Sequence, residues 1–238
     1  MKILGFIPAR GGSQGITMKN MRKVAGKPLL EYTISSARKS KQIDKILLST
    51  DHPSIARLGK SLGAEVPFLR PKNLSGNNSL SLDSLKHALD FLSKNYEYVP
   101  DIVVFLQPTS PTRNSDMIDQ SIRMLKNSKA TSVVSVSLLK KHPYNSFWYV
   151  EGNLKPFEKN FEKYSQRQSL PNLYGPTGAI YTFWARNIEK YNSIYGPKIK
   201  PLIIDDDEYA IDIDNVFDMF VSEMTILHWK KYKQKFDK

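Results

Sequence analysis

Ile102-Val103-Val104-Phe105-Leu106-Gln107-Pro108-Thr109-Ser110-Pro111-Thr112-Arg113 is the stretch on which the architecture turns. Its first five residues are apolar without a break, and the run is strand-length. A strand with no polar alternation is of the kind buried on both faces of a parallel sheet. The polar, proline-bearing run that follows then lies at the carboxyl end of that strand. This is the edge where open α/β sheets receive ligands.

Moving outward, apolar runs alternate with helical patterns. Ile3–Pro8 reads as a strand, followed by a glycine-rich turn and a helix over Leu29–Lys39. Residues 45–50 read as a second strand, and the Asp51-His52-Pro53 turn starts another helix. A short strand is expected over 66–69. Residues 81–94 place Leu82, Leu85, Ala88, Leu89 and Leu92 at helical spacing. A helix over 115–125 has Asn114 or Ser115 as its cap, and 132–136 is a further strand. Strand character returns over 178–184 and 201–204. Residues 215–233 close the chain as a helix carrying Met219, Phe220, Met224, Ile226 and Leu227. Repeated strand–helix alternation predicts an α/β fold with a doubly wound, mostly parallel sheet. Between about 140 and 177 the pattern loosens into aromatics, prolines and charges. The reading is therefore one domain over 1–238, with approximately 140–177 as an arm or insertion.

Composition bounds the function. The chain has 238 residues, 40% hydrophobic and 24% charged, enough for one sizeable core. No run approaches the roughly 20 apolar residues of a membrane span, and the run at 3–7 is shorter than the roughly 7–15 residues of a signal-peptide core. There is no cysteine, which removes disulfides and thiolate metal sites and makes the cytoplasm the expected compartment. Thirty-five Lys+Arg against 23 Asp+Glu give a formal charge of +12, which suits an anionic partner. The basic residues are scattered except in the tail (Lys230, Lys231, Lys233, Lys235, Lys238), which reads as a solvated helix end. No RNA-binding signature is present.

Three motifs carry the chemistry. The first is Ile7-Pro8-Ala9-Arg10-Gly11-Gly12-Ser13-Gln14-Gly15, continuing to Lys19-Asn20. Glycines let backbone approach a phosphate closely, and Arg10 and Lys19 supply positive charge. It is neither a Walker loop nor a dinucleotide fingerprint; the same residues also suit a flexible turn with two solvated cations. The second is Gln107 to Arg113, where Gln107, Thr109, Ser110 and Arg113 would present amide, hydroxyl and guanidinium groups to a substrate bearing hydroxyls and a carboxylate. Read alone, it suits a strand-to-helix connection with turn-forming Pro and Ser better than a binding loop.

The third motif is Asp212-Ile213-Asp214, after the acidic turn 205–208. In extended chain, residues two apart share a face, so the two carboxylates point the same way. Such a pair offers hard oxygen ligands for Mg²⁺, which joins one or two carboxylates to substrate phosphates. Asp214 could instead cap the following helix. His52, His87, His142 and His228 lie far apart and make no zinc pattern, and no serine-hydrolase elbow is present. Phe147, Trp148 and Tyr149 read as interface or core rather than as a base-stacking platform.

Together with Gly26-Lys27-Pro28-Leu29, Ser49-Thr50-Asp51, Leu69-Arg70-Pro71, Arg167-Gln168 before Leu170-Pro171, and Gly178-Ala179-Ile180-Tyr181, these segments resemble the CMP-nonulosonic acid synthetases. These are the cytidylyltransferases of N-acylneuraminate (sialic acid) and legionaminic acid. The resemblance runs through most of the chain in the family order. It implies a Rossmann-like domain and a homodimer, in which an arm of one subunit, here 140–177, completes the partner's sugar pocket. It also implies an Mg²⁺-dependent (or Mn²⁺-dependent) reaction of CTP with an acidic nine-carbon sugar, without nucleic acid or membrane. Arg10, Gly11, Gly12, Ser13, Lys19, Asn20, Arg70 and Ser81 would surround CTP. Gln107, Thr109, Ser110, Tyr181 and, across the interface, Arg167 would hold the sugar. Asp212 and Asp214 would be the metal ligands, acting in catalysis with Arg10 and Lys19. Gln14, Thr112, Asn145 and Thr177 depart from the family pattern, the last three near the expected sugar pocket. Alternative readings are a nucleotidyltransferase for the eight-carbon acid Kdo or a sugar phosphate, and a basic polyanion-binding protein with no activity.

Overall fold

The computed structural model describes residues 1–12, 15–76, 79–159, 161–164, 166, 168 and 170–236. Its centre is a six-stranded sheet. Strands β1 (Ile3–Pro8), β4 (Lys45–Ser49), β5 (Ile102–Phe105), β6 (Ser132–Leu138), β9 (Tyr174–Trp184) and β10 (Ile199–Ile203) lie in the order β10-β6-β9-β5-β1-β4. β1 pairs in parallel with β4 and β5, and β10 with β6; β9 runs antiparallel to both β5 and β6. The sheet is mostly parallel, as the alternating pattern predicts.

Unbroken apolar strands are explained by burial on both sides. Ile102, Val104 and Leu106 enter one core with Ile3 and Ile7, while Val103 and Phe105 enter the other with Leu4 and Phe6. The first core is closed by helices α1 (Leu29–Lys39), α2 (Pro53–Ser61) and α4 (Ser115–Lys126), the second by α3 (Ser81–Tyr96) and α5 (Asn187–Tyr191). On α3 the buried Leu85, Ala88 and Leu92 fall at i, i+3 and i+7. Each buried leucine of this kind contributes about 1.5–3 kcal/mol of transfer free energy, so the fold is over-determined where the sheet is flanked by helices.

Several local expectations need correction. Residues 66–69 form no strand. Glu65 makes a single bridge beside Leu47, exchanging bonds with Ile46 and Leu48, and Pro67 has no N–H with which to continue the ladder. Of the two caps expected for α4, the structure has Asn114, whose side chain accepts from Met117 N. The last helix is interrupted: α6 (Val216–Met224) passes through a π-turn at Thr225–Trp229 before the short α7 (Lys230–Lys233). A small hairpin, β2 (Lys23–Val24) with β3 (Lys27–Pro28), turns on Ala25 and Gly26 at φ 47° and 80°. The loosened segment carries a second hairpin, β7 (Phe147–Val150) with β8 (Asn153–Pro156), all of it exposed.

The chain leaves β1 towards β4 on one side and returns through α3 to β5 on the other. The connection leaving β1 runs to β4 on one side and that leaving β5 runs to β6 on the other, so a crevice forms outside the carboxyl ends of these paired strands.

Candidate active site

The crevice is walled first by the loop after β1. Ala9 N donates to Ser49 O at 2.9 Å, holding the chain beside β4 for one more residue before it turns. Gly11 N then donates to Asp51 Oδ1 at 2.9 Å, and a Cβ on Gly11 would lie 3.0 Å from the His52 ring. Farther on, a Cβ on Gly15 would fall 2.3 Å from the carbonyl oxygen of Asp214, so glycine alone permits this approach. Arg10 donates through Nη1 to Gly76 O at 2.9 Å. Asn20 is buried and donates to Arg10 O at 3.0 Å, fixing the turn from behind.

The opposite wall comes from the loop after β5 and from the segment before α6. Ile213 N donates to Thr109 O at 2.9 Å, which ties the two together. Ile213 is fully buried in a small core with Ile16, Val24 and Leu29, so Asp212 and Asp214 on either side of it are turned outward. Asn215, not Asp214, caps α6: its side chain accepts from Asp218 N, and Asp218 accepts in return in a capping box. That leaves the Asp214 carboxylate, 78% exposed, for other partners. Lys19 reaches across from the first wall, donating to Ile213 O at 2.5 Å with its Nζ 3.7 Å from Asp214 Oδ1. The cationic loop and the carboxylate pair thus meet directly.

Burial pushes the Asp212 carboxyl up, and the negative charges of Asp214 and Asp218 push the same way; a hydrogen bond from Thr109 and the charge of Lys19 oppose them. Arg70 is buried, with Nε on Ser49 Oγ at 3.0 Å and Nη2 on Ser49 O at 2.5 Å. Burial lowers its pKa, Asp51 counteracts that, and Arg10 adds to it. The donor set of Asp212 and Asp214 fits a divalent cation. Both offer hard oxygens on one wall of the cleft, and Mg²⁺ commonly takes one or two carboxylates and completes its shell with substrate phosphates and water.

Of the residues predicted from sequence, Arg10, Lys19, Asn20, Arg70, Ser81, Gln107, Thr109, Asp212 and Asp214 line one cleft of about 470 Å³. Pro8, Leu74, Gly76, Ser79, Leu80 and Pro108 complete it. Gly11 and Gly12 belong to the adjoining loop and do not line the cleft. Ser13, Gln14 and Arg167 lie outside the described residues. Ser110 is 1% exposed behind Thr109, its Oγ without a hydrogen-bond partner among the described residues.

Tyr181 lines a neighbouring hollow of about 290 Å³ that shares Leu80, Ser81 and Gln107 with the cleft and adds Asn192 and Tyr195. Burial first, then Tyr195 and Asp212, push its phenol up to about 12, so it is a neutral hydrogen-bonding group at ordinary pH.

Arg113 corrects the sequence reading. Its guanidinium faces the interior, donating to Gln107 O (3.1 Å), Ala179 O (2.6 Å) and Thr33 Oγ1 (2.6 Å), and burial lowers its pKa to about 9. It braces the cleft and does not line it. Thr177 is likewise internal, with its Oγ1 2.8 Å from Ser135 Oγ. Asn145 lies in a separate hollow at the base of the arm, and Thr112 Oγ1 is buried.

Gly178, which enters the sequence reading only as part of a family segment and with no role of its own, abuts two of the cleft's side chains. It has φ +76°, and a Cβ there would lie 3.0 Å from Gln107 Oε1 and 3.1 Å from Asp212 Oδ2. The signal was available, a glycine opening an otherwise bulky strand, but only the sheet register shows what it faces.

A family profile described as "Cytidylyltransferase" matches residues 4–203. The chain is 35% identical over 231 residues to the CMP-N,N'-diacetyllegionaminic acid synthase of Legionella pneumophila, covering 94% of this chain and 95% of that one. It is 32% identical to the N-acylneuraminate cytidylyltransferase of Escherichia coli, covering 99% of this chain but 54% of that longer protein. The structure of a CMP:2-keto-3-deoxy-manno-octonic acid synthetase complexed with CTP shares the fold, with a TM-score of 0.70 at 13% identity and coverage of 97% and 100%. The chain belongs to the cytidylyltransferase family and is a nucleotidyltransferase.

Proposed function

We propose that the chain joins CTP to a nonulosonic acid, of the sialic or legionaminic acid type, giving the CMP-sugar and pyrophosphate. The observation that carries the reading is the meeting of Arg10 and Lys19 with Asp212 and Asp214 across a single cleft. A triphosphate needs fixed cations, and a cleft of this size lies within the roughly 300–1,000 Å³ of small-molecule sites. In the reaction the anomeric hydroxyl oxygen of the 2-keto acid forms a bond to the α-phosphorus. The α–β phosphoanhydride bond breaks, its electron pair leaves with pyrophosphate, and the hydroxyl proton passes to solvent.

Residues of this chain position and neutralise. Arg10, anchored on Gly76 O, would face the phosphates, Lys19 lines the same cleft as a second cation for them, and Asn20 holds the Arg10 backbone in place. Arg70, its head set by Ser49, and Ser81 sit at the same cleft on the nucleotide side. Gln107 and Thr109 face the sugar, with Tyr181 in the adjoining hollow. Asp212 and Asp214 would hold a divalent cation, Mg²⁺ or Mn²⁺, which when bound supplies charge neutralisation and acidifies the attacking hydroxyl. Because the chemistry is positioning plus charge stabilisation, no covalent protein nucleophile is required.

The assembly we propose is a cytoplasmic homodimer of one-domain subunits, in which the arm at 140–177 reaches the partner's cleft. Two features support it. Trp148, Tyr149 and Leu154 are exposed on the β7–β8 hairpin, and among the described residues none of the arm lines the cleft of its own protomer. No helix among the described residues is long and apolar enough to cross a membrane.

The test is incubation with CTP or, in parallel, UTP, together with Mg²⁺ and a panel of nine-carbon acids beside the eight-carbon acid Kdo, with products identified by mass. A CMP-adduct of a nine-carbon acid is expected. Turnover of Kdo alone, or of UTP in preference to CTP, would overturn the substrate assignment.

A further inference from the structure

Lys19 occupies an unusual position for a residue that would serve a nucleotide. Its side chain is 12% exposed, and its ammonium is turned toward the carboxylate wall, on the Ile213 carbonyl and beside Asp214 Oδ1. The backbone enforces this. Met18 sits in the left-handed region at φ 54°, and the short 3-10 turn Lys19–Met21 follows, with Asn20 buried at its centre. Gly15 brings the same loop against the Asp214 carbonyl. The charge of Lys19 is also felt at Asp212. One ammonium thus partners the pair of carboxylates that a divalent cation would need.

We propose that Lys19 is an internal counter-ion for this pair. Free divalent cation then binds weakly to the protein alone, and firmly only when a polyphosphate draws the ammonium away. The inference rests on Asp212 and Asp214 being the metal-holding pair. An ammonium is a compact point charge on a flexible stem, able to swing between a carboxylate and a phosphate as a rigid guanidinium fork cannot. If the triphosphate takes Lys19, the affinity of the carboxylates for the cation rises; by linkage the cation raises the affinity for triphosphate by the same factor. Couplings of this kind run to roughly 5–150-fold. The consequence is an order of assembly in which cation and nucleotide arrive together.

The experiment is a Mn²⁺ titration of the full-length chain without nucleotide, reading free Mn²⁺ by electron paramagnetic resonance. Lys19→Gln removes the charge but keeps an N–H donor, one atom shorter, for the Ile213 carbonyl; Lys19→Met removes both. Each is expected to bind Mn²⁺ about fivefold or more tightly than the unmodified chain. Lys94→Met is expected to leave Mn²⁺ binding unchanged. It removes an exposed charge 13 residues along α3 from Ser81, about 20 Å away at 1.5 Å per residue.

Adding Asp214→Asn to Lys19→Gln should abolish the gain. Equal or weaker Mn²⁺ binding in both Lys19 variants, at an unchanged melting temperature, overturns the proposal. If Asp214→Asn weakens Mn²⁺ binding while the Lys19 variants do not strengthen it, the counter-ion role alone fails. If Asp212→Asn and Asp214→Asn leave Mn²⁺ binding untouched with or without CTP, the metal assignment fails and takes this inference with it.

Discussion

The cleft and the arm obey opposite rules. In the cleft, polar groups are secured by their own protomer: Arg70 on Ser49, Asn20 on the Arg10 carbonyl, Lys19 on the Ile213 carbonyl, Thr109 O on Ile213 N. On the β7–β8 hairpin large apolar side chains are left outside, with Trp148 58%, Tyr149 77% and Leu154 65% exposed. The hairpin's internal support includes the Trp148–Phe157 ring contact, centroids 5.5 Å apart. A polar site organised from within is ready to bind. A large apolar surface left outward marks a place where something else docks. The difference teaches that the cleft proposed to handle the phosphates is built by the single chain, whereas the arm makes sense in the proposed assembly.

The sharpest test of the first half is Asp212→Ala. Turnover should fall about 10²–10³-fold, as when a preorganised electrostatic group is removed. Stability should hardly change, because Asp212 stands beside the like charges of Asp214 and Asp218. Steady-state pyrophosphate release and a thermal melt measure the two. Retained turnover would mean that the carboxylate wall is scaffold.

Arg113→Met probes the brace behind that wall. It strands the Gln107 and Ala179 carbonyls and the Thr33 hydroxyl, and should cost about 3 kcal/mol in urea unfolding at about 1–3 kcal/mol per buried unsatisfied group. Turnover per folded molecule should drop less than tenfold. Lost turnover at unchanged stability would return Arg113 to the substrate-facing role first read from the sequence.

The cleft was largely legible in the sequence because it hangs on strand ends. Once 3–8 and 102–106 are read as buried parallel strands, the residues just after them must share one edge, whatever the loops do. The alternation of Asp212 and Asp214 about an apolar residue was equally readable, since it needs only the two-residue period of extended chain. Contacts that depend on register or on rotamer could not be read. Arg113 lies in the same polar run as Gln107, and only the burial of Thr33 on α1 and the bulge of β9 beside Ser135 decide that it turns inward. The strand expected at 66–69 failed for a local reason, a proline whose veto outweighs a favourable apolar pattern.

Gly178→Ala tests whether the antiparallel strand shapes the cleft or merely closes the sheet. At φ +76° an alanine is strained, and its Cβ would press on both Gln107 Oε1 and Asp212 Oδ2. A loss of about 1–2 kcal/mol in stability is expected, with kcat/KM lower by about tenfold because the amide and the carboxylate are displaced together. A stability loss with unchanged kcat/KM would show that the β9 bulge is independent of the site.

The smallest effect on the isolated chain is expected from the double change Trp148→Ser and Tyr149→Ser, and it bears most directly on the arm. Both side chains are exposed, so unfolding of a dilute sample should shift by no more than about 0.5 kcal/mol for each. If a second copy covers the hairpin, sedimentation should show dissociation at protein concentrations where the unmodified chain stays associated. The KM for the sugar acid should rise while that for CTP, whose proposed contacts lie in the single-chain cleft, holds. A CTP KM that rises in step would mean that the arm also shapes the nucleotide half, and the division between the two regions would have to be redrawn.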